Sequence, residues 1–180
     1  MRFEPTPLDG TFVVRPDVHE DERGSFARTW DGEEFAQRGL SPRLVQCSTS
    51  WNRSAGTLRG LHHQEAPHEE EKLVRCTAGA IFDVAVDLRP GSATFLGWFG
   101  VELTAQNRLA LYIPKGCAHG FLTLEDGSEV LYQMSEPHVP DAGRGVRWDD
   151  PAFGIRWPLA PSVINERDRS WPMVRVEAPS

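Results

Sequence analysis

The sequence predicts an all-β sandwich or barrel, and two observations support this class. Short apolar or alternating runs recur along the chain, and turn-forming residues separate several of them, as at 90–92, 114–116 and 126–127. The 16 glycines and 14 prolines are spread over the 180 residues instead of being pooled in one linker. Many short strands with turns at this spacing are typical of sandwiches and barrels.

The runs predict ten strands in chain order: Thr11–Val14, Ser25–Trp30, Leu44–Ser50, Thr57–Gln64, Lys72–Cys76, Ala80–Leu88, Phe95–Leu103, Leu109–Ile113, His119–Leu124 and Glu129–Met134. Before the C-terminal region, a helix is predicted only over Gly32–Arg38, about two turns. The segment after Pro137 is rich in Pro, Gly, Trp and charge. We expect it to wrap the barrel as loops with short helices. No repeat or domain boundary interrupts the pattern, so we expect one domain over residues 1–180.

A hairpin is predicted around Asp126 and Gly127, because Asp-Gly between two strand-like runs favours a two-residue type I′ turn. In that register Phe121 faces Tyr132, and His119 faces Met134. Side chains alternate along a strand, so His119, Phe121 and Tyr132 would share one face. Polar groups sharing a face with aromatic rings suggest a pocket lined by apolar surface. From this hairpin alone, however, a half-buried Tyr with its hydroxyl in solvent is the preferred interpretation.

Composition excludes several classes of function. Hydrophobic residues make up 39% and charged residues 25%, as in soluble globular proteins. With 19 basic against 26 acidic residues, the net charge of −7 argues against a general nucleic-acid binder. No apolar run approaches a membrane span, the first residues lack a secretory pattern, and the three cysteines form no C-x-x-C pair. We therefore expect a cytoplasmic protein with no nucleic-acid or membrane partner.

Three segments carry side chains suited to chemistry. Residues 59–64 read Arg-Gly-Leu-His-His-Gln, in which Gly60 suggests a bulge that redirects its neighbours. Lys72 follows three glutamates and enters an apolar strand, as a solvated strand end or as a partly buried ammonium. It is one of only two lysines among the 19 basic residues. Residues 114–121 form a Gly-flanked turn that delivers His119 to a strand.

These segments only partly match a metal site of the cupin type. Metal-binding cupins carry a His-x-His pair with a downstream Glu, and then a Pro-x-Gly-x-x-His. Pro114, Gly116 and His119 fit the second motif, but Gln64 stands in place of the second His and Lys72 in place of the Glu. Because an ammonium repels a cation and is not a metal ligand, we expect no metal.

The combined motifs resemble those of the dTDP-4-dehydrorhamnose 3,5-epimerase family. The likeness runs from about Asp21 to Asp168, nearly the whole chain. Its motifs, matched in order and spacing, are Arg59-Gly-Leu-His-x-Gln64, Lys72-Leu-Val74, Phe82-Asp-Val-Ala-Val-Asp-Leu-Arg89 with Gly91-Ser-x-Thr-Phe95, Ile113-Pro-x-Gly-x-Ala-His-Gly-Phe121, Leu131-Tyr132 and Arg147-Trp-x-Asp-Pro151.

The resemblance implies a jelly-roll (cupin) homodimer without metal or organic cofactor. Such an enzyme would invert C3, C5 or both in a nucleotide-linked 4-keto-6-deoxyhexose, and dTDP-4-dehydro-6-deoxyglucose is the leading candidate substrate. A neutral imidazole suits proton abstraction, so His62 is the expected base. Lys72 would face the C4 oxyanion, and Tyr132 would return a proton from the far side. By resemblance Asp168 orients His62, with Asp83 as the other candidate.

The implied substrate-binding residues are less regular than the catalytic ones. Arg23, Arg59 and His119 are expected at the diphosphate and sugar, where arginine suits bidentate phosphate contacts. The remaining expected substrate contacts are Phe26, Gln46, Ser48 and His138. Four positions depart from the family pattern, which has Glu, Asn, Tyr and Glu where this chain has Arg28, Ser48, His138 and Gly143.

These departures keep other functions open. Within the same fold, the chain could be a 4-keto-sugar isomerase or a single-centre epimerase that takes a different nucleotide sugar. A non-catalytic cupin that only binds a nucleotide sugar would keep Arg23, Arg59 and His119 but tolerate loss of Tyr132 or Lys72. A metal-dependent cupin oxygenase is the third possibility.

Overall fold

The protein is described by a computed structural model covering residues 1–174. The bounds of the α-helices and strands are β1 Arg2–Pro5, β2 Phe12–Arg15, β3 Val18–Asp21, β4 Gly24–Ala27, α1 Gly32–Ala36, β5 Gln46–Asn52, β6 Leu58–Gln64, β7 Lys72–Ala78, β8 Ala80–Asp87, β9 Trp98–Thr104, β10 Ala110–Ile113, β11 Cys117–Thr123, β12 Ser128–Met134, β13 Gly143–Gly145 and α2 Glu166–Ser170. A 3₁₀ turn spans Pro140–Ala142. The all-β prediction is confirmed.

Two antiparallel sheets form a jelly-roll sandwich of the cupin type. One has six strands in the order β1-β2-β10-β7-β12-β5, and the other has five in the order β13-β6-β11-β8-β9. Their facing side chains form the main core, in which Val74, Ile81, Leu111, Phe121 and Val130 are fully buried or nearly so. Alternate residues on an inner strand face this core, and polar residues at such positions therefore point into the sandwich.

Two further apolar clusters cover the outer faces. On the five-stranded sheet, Leu61, Val84 and Val86 pack beneath the C-terminal segment. On the six-stranded sheet, Phe35 of α1 packs against Tyr112, with ring centroids 5.9 Å apart. Because both faces of the central strands are covered, β8 and β11 are buried almost throughout.

The predicted hairpin between β11 and β12 is wrong. β11 pairs with β6 and β8 in one sheet, whereas β12 pairs with β5 and β7 in the other. The Asp-Gly segment therefore crosses between the sheets, and only Gly127 of the pair has a positive φ, so the turn is not type I′. Phe121 and Tyr132 still meet, with centroids 6.4 Å apart, but they do so across the sandwich interior.

The predicted helix is confirmed in shorter form, as α1. Asp31 caps it by accepting hydrogen bonds from the backbone N–H groups of Glu33 and Glu34. Strands β1, β3 and β13 were not predicted, because segments such as Val18–Asp21 show no apolar alternation. Within residues 1–174, no helix is long and apolar enough to cross a membrane.

Candidate active site

A local irregularity in β6 brings its histidine opposite that of β11. The β6–β11 register shifts between His119 and Phe121, so that His62 pairs with His119 and Arg59 with Phe121. Gly60 has a φ of +128°, and a Cβ on it would lie 2.5 Å from Cα of Gly120. Only glycine fits this close approach of two strands. The bulge suggested by Gly60 is therefore present, and it aims His62 and His119 to the same side of the sheet.

His62 and Asp168 form a hydrogen-bonded pair. Nε2 of His62 lies 2.6 Å from Oδ1 of Asp168, and Oδ2 accepts the backbone N–H of Gly60 at 3.1 Å. Asp168 is 1% exposed in helix α2, whose N-cap Asn165 accepts its backbone N–H. Burial raises the pKa of Asp168, but the hydrogen bonds from His62 and Gly60 outweigh it and hold the pKa below its ordinary value. Asp168 is thus the partner of His62.

The alternative partner, Asp83, pairs with the other histidine. Its Oδ1 lies 2.7 Å from Nε2 of His119, and both side chains are buried between the sheets. Burial raises the pKa of Asp83, and the neighbouring His119 opposes the rise. Oδ2 of Asp83 has no hydrogen-bond partner among the described residues. The structure therefore holds two His–Asp pairs whose histidines lie on adjacent strands: His119–Asp83 is buried between the sheets, and His62–Asp168 joins β6 to α2 at the cleft.

Lys72 is a buried ammonium. It is 8% exposed at the start of β7, and its Nζ forms an ion pair with Glu70, which is also buried at 8% exposure. A solvated strand end is therefore excluded. Oε2 of Glu70 has no hydrogen-bond partner within residues 1–174. Two buried opposite charges stabilise each other. Because an ammonium has three donors, a second anion beside Lys72 would accept hydrogen bonds from the donors that Glu70 does not use.

Tyr132 lies on the opposing sheet and faces the His119 pair. Its ring centroid lies 6.0 Å from that of His119, in an edge-on arrangement, and its hydroxyl lies 3.1 Å from Oγ of Ser50 on β5. Burial raises the pKa of Tyr132 to about 12, so the phenol is protonated at neutral pH. Two residues along β12, Met134 pairs with Lys72 of β7. Tyr132 and Lys72 thus belong to one inner face of the six-stranded sheet.

One cleft of about 190 Å³ opens at this end of the sandwich. It contains His62 and Lys72 together, at the same mouth as the predicted His138. Its full lining is His62, His63, Gln64, Glu70, Lys72, Met134, His138, Gly143, Arg144 and Arg167. The His62 imidazole and the Lys72 ammonium singled out in the sequence therefore line the same cleft. Asp168, which orients the imidazole, is 106 residues away from His62 along the chain.

The strand β5 supplies a polar edge to this region. Oε1 of Gln46 accepts the backbone N–H of His138 at 2.8 Å, which fixes the segment that carries His138. Ser48 pairs with Tyr132 across the ladder. On β6, Nε of Arg59 donates to the side-chain oxygen of Asn52 at 2.8 Å. These predicted residues therefore lie on the strands that border the Tyr132 and His119 side chains.

Sequence reasoning missed two arginines that line the cleft and one tryptophan that lies beside His62. Cζ of Arg167 lies 5.0 Å from the ring centroid of Trp171, and the same ring lies 6.2 Å, edge-on, from that of His62. A Cβ on Gly145 would overlap the Trp171 ring, so the indole lies against this glycine backbone. Arg144 pairs with Glu65 at 2.9 Å. The available sequence signals were the adjacency of Arg167 to Asp168 and that of Arg144 to the departing position Gly143.

Two predicted substrate contacts lie elsewhere in this chain. Arg23 and Phe26 belong to the hairpin β3–β4, a separate two-stranded sheet. Arg23 pairs with Asp21, and Phe26 is 72% exposed. Both line a concave surface of the hairpin itself, not the cleft that contains His62. A single chain therefore does not bring them to that cleft.

No set of three or more His, Cys, Asp or Glu side chains within residues 1–174 is arranged to hold a metal ion. The cleft instead offers a carboxylate-oriented imidazole, an ammonium and arginines, and a buried phenol shares the inner sheet face of the ammonium. These groups suit proton transfer to and from carbon beside a carbonyl, with an anion held nearby. Fold and site together define an acid–base enzyme of the cupin class.

Comparison with known proteins identifies the family. The profile of the dTDP-4-dehydrorhamnose 3,5-epimerase family matches residues 5–175. A protein of that name from Methanothermobacter thermautotrophicus is 46% identical over 97% of this chain and 95% of its own length. The chain belongs to the dTDP-4-dehydrorhamnose 3,5-epimerase family and is a carbohydrate epimerase, as the sequence motifs predicted.

Solved structures agree with this assignment. The Bacillus anthracis dTDP-4-dehydrorhamnose 3,5-epimerase, crystallised with TDP and PPi bound, matches with a TM-score of 0.92 and 36% identity over 96% of this chain and 99% of that one. A 3′-monoepimerase from Streptomyces bikiniensis, in complex with dTDP-quinovose, matches with a TM-score of 0.87 and 33% identity over 94% and 86% of the two chains. Structures of both a double-centre and a single-centre epimerase therefore share this fold.

Proposed function

We propose that this enzyme inverts C3 and C5 of dTDP-4-dehydro-6-deoxyglucose by removing and returning protons beside the 4-keto group. The observation that carries the proposal is the convergence of the His62–Asp168 pair and the Lys72 ammonium on one cleft. The groups needed to form an enolate and reprotonate it all belong to the protein. The reaction then needs no metal or organic cofactor.

Proton abstraction falls to His62. In the neutral imidazole, the Nε2–H group donates to the Asp168 carboxylate 2.6 Å away, which leaves the lone pair on Nδ1. Nδ1 takes the proton from C5 or C3, and the imidazolium that forms is stabilised by the carboxylate. Such a general base contributes about 10²–10⁴-fold to the rate.

The negative charge that develops on the C4 oxygen is assigned to Lys72. Its ammonium is buried against Glu70, so it approaches the substrate with little water around it. A fixed charge in such surroundings stabilises an oxyanion more strongly than the same charge in water. The Glu70 carboxylate also compensates the buried positive charge of Lys72.

Protonation of the enolate falls to Tyr132. The phenol lies on the opposite sheet from His62, so a sugar between them presents one face to each group. Removal by His62 and return by Tyr132 then invert the carbon. The pKa of about 12 keeps the proton on the phenol until the strongly basic enolate carbon is formed.

The nucleotide and diphosphate are assigned to the basic and polar rim. Arg59 and His119 would contact the diphosphate and sugar, while Gln46, Ser48 and His138 lie toward the base. His138 offers an imidazole for stacking on thymine in place of the family's tyrosine. Because Gly143 carries no carboxylate, Arg167 beside it stays available to an anion. Arg28 pairs with Asp31, which supplies a carboxylate next to this reversed charge.

The enzyme is also proposed to be a homodimer in which β3–β4 acts as an arm that reaches the partner's cleft. An isolated two-stranded hairpin is only marginally stable in water. Seven of the eight residues in β3 and β4 are exposed, including the Phe26 ring. On strand β5, at the edge of the six-stranded sheet, Trp51 is 58% exposed. A second copy would cover the arm and bring Arg23 and Phe26 to a substrate.

Mixed dimers test this arrangement. Arg23→Ala and His62→Ala subunits are co-expressed with different tags, and the heterodimers are purified. If the arm crosses to the partner, each heterodimer contains one site with both an intact arm and an intact base. Such heterodimers should show about half of wild-type activity. If each arm served its own subunit, both sites would be defective and activity would stay at the level of the two variant homodimers. A monomeric enzyme of full activity would overturn the proposal altogether.

A cytoplasmic location is proposed on the state of the thiols. Cys47, Cys76 and Cys117 form no disulfide, and burial raises the pKa of Cys76 to about 11 and that of Cys117 to about 12. Free cysteines without disulfides are typical of reducing compartments. Cell fractionation of the native host tests this directly, and recovery in an extracytoplasmic fraction would contradict it.

Deuterium exchange tests the function. Wild-type enzyme in D₂O is mixed with dTDP-, CDP-, UDP- and GDP-linked 4-keto-6-deoxy sugars, and NMR follows deuterium at C3 and C5. We expect exchange and inversion at both carbons with the dTDP sugar, no exchange with His62→Ala, and wild-type exchange with His68→Ala, an exposed histidine outside the cleft. Deuterium at C3 alone would define a single-centre epimerase. No exchange with any sugar, or wild-type exchange by His62→Ala, would refute the mechanism.

A further inference from the structure

The hydroxyl of Tyr132 has one hydrogen-bonding neighbour. Within residues 1–174, its oxygen lies 3.1 Å from Oγ of Ser50 and contacts no other hydrogen-bonding side chain. Ser50 lies on β5, two residues beyond Ser48, which is the direct ladder partner of Tyr132. Among the described residues the Ser50 side chain makes no other hydrogen bond, so its hydroxyl proton is free to serve the phenol oxygen.

Giving up its proton is difficult for Tyr132 where it lies. Burial raises its pKa to about 12, and the nearby charge of Asp83 acts in the same direction. The titratable or charged groups that face the ring from other strands are Asp83, His119 and Arg59. The charge of Asp83 disfavours the phenolate, and that of Arg59 favours it. A buried anion with no hydrogen-bond donor is costly, and the described part of the chain places a single side-chain donor, Ser50, at the phenol oxygen.

We propose that Ser50 is a positioning residue that donates its hydroxyl hydrogen bond to the phenol oxygen of Tyr132. This rests on the role of Tyr132 as the acid. With the Ser50 O–H directed at the phenol oxygen, the phenol O–H is directed away from Ser50 and toward the substrate. The same hydrogen bond then stabilises the phenolate that protonation leaves behind.

The proton-transfer step balances without any further reactant. The Tyr132 O–H bond breaks and its electron pair stays on oxygen, while the enolate carbon forms a C–H bond with the carbon–carbon π electrons. The C4 oxyanion returns to a carbonyl. Solvent later returns a proton to the phenolate and removes one from the His62 imidazolium.

Loss of this donor should separate exchange from inversion. Without Ser50, His62 still removes the proton, but return from the Tyr132 face slows. The enolate is then reprotonated by the His62 imidazolium on its original face, after exchange with solvent. The expected signature is deuterium in the unchanged sugar, which a general loss of folding or binding would not produce.

The test compares Ser50→Ala, Ser50→Thr and the control Ser54→Ala, in which the removed hydroxyl makes no hydrogen bond to a described residue. In D₂O with the dTDP-linked 4-keto sugar, Ser50→Ala should lower inversion by about tenfold to hundredfold, the effect of one hydrogen bond to a charged group. Exchange should fall much less. Ser50→Thr, which keeps a hydroxyl, and Ser54→Ala should retain the wild-type ratio of inversion to exchange.

A second measurement is independent of turnover. The chain has only two tyrosines, Tyr112 and Tyr132, so fluorotyrosine labelling gives two ¹⁹F resonances, and Tyr112→Phe assigns them. Ser50→Ala should raise the pKa of Tyr132 and leave that of Tyr112 unchanged. If Ser50→Ala fails to fold, Ser50→Cys, nearly isosteric and a weak donor, replaces it.

The outcomes separate the two proposals. A wild-type ratio of inversion to exchange and an unchanged Tyr132 pKa in Ser50→Ala would overturn the role of Ser50 while leaving the epimerase intact. If the wild-type enzyme exchanged no proton of any keto sugar, the proposed function would fail. The ¹⁹F titration would still decide whether Ser50 donates to the phenol.

Discussion

Replacing Asp168 by asparagine tests whether a carboxylate is needed behind His62. The substitution keeps the size of the side chain and an oxygen that can accept the Gly60 N–H, which is 3.1 Å away. It removes the negative charge 2.6 Å from Nε2 of His62. An amide can also turn its NH₂ group toward Nε2, which forces the hydrogen onto Nδ1 and occupies the lone pair that abstracts the proton.

The magnitude follows from burial. A hydrogen bond to a charged group contributes about 1.5–3 kcal/mol. Asp168 is fully enclosed, but the His62 side chain is 43% exposed, so water screens the interaction and the lower half of this range applies. Loss of the charge alone should therefore lower kcat by about 13- to 45-fold. Inversion of the tautomer would extend the loss toward roughly 10⁴-fold, as for Asp→Asn in a serine protease triad.

The assay is deuterium incorporation at C5 of the dTDP-linked 4-keto sugar, measured for wild type, Asp168→Asn and Asp149→Asn. The last makes the same chemical change at an aspartate paired with Arg147 at the surface, and it should be near wild type. KM should change little, because the carboxylate does not line the cleft. A kcat for Asp168→Asn within about threefold of wild type would refute the reasoning.

Stability should follow the same carboxylate with a defined sign. Because the folded-state pKa of Asp168 lies below its ordinary value of about 3.9, the ionised group stabilises the fold fully above that value. This contribution is lost as the pH falls through the lower folded-state pKa. The difference in unfolding free energy between wild type and Asp168→Asn should therefore be larger above pH ~4 than below the folded-state pKa of Asp168.

Three further outcomes are expected. Asp87→Asn weakens the bidentate Arg89 contacts at 2.7 and 2.8 Å. Hydrogen bonds from Arg89, Ser92 and Thr94 overcome burial and lower the pKa of Asp87. The substitution should therefore lower the free energy of unfolding in urea by about 3 kcal/mol at pH 7 and by less below pH ~4. Gly60→Ala, with a Cβ 2.5 Å from Cα of Gly120, should cost about 3 kcal/mol in the same assay, and wild-type stability would contradict the close approach. Lys72→Met should lower kcat by about 10²–10³-fold in steady-state kinetics, and an unchanged kcat would remove the ammonium from the mechanism.

Much of the fold was predictable because the sheets obey local rules. β-Branched and apolar runs bounded by turn residues predict strands such as Lys72–Ala78 and Ala80–Asp87. The pairing of those strands was not predictable in the same way. Asp126-Gly127 has the composition of a hairpin turn, yet the chain passes there from one sheet to the other, because the two inner faces must cover each other to form a core.

In the candidate site, too, some residues could be proposed from the sequence, whereas their contacts depend on the tertiary structure. The sequence by itself proposed His62, Lys72 and Tyr132. A histidine two residues from a strand glycine and a rare lysine entering an apolar strand are visible locally, and the family resemblance implied their roles and that of Tyr132. Only the tertiary structure decided between Asp168 and Asp83 as the partner of His62, and only it exposed the Ser50 contact and the isolated arm that carries Arg23. Residues far apart in sequence meet through strand register and the packing of α2, and a chain's local pattern does not contain those long-range contacts.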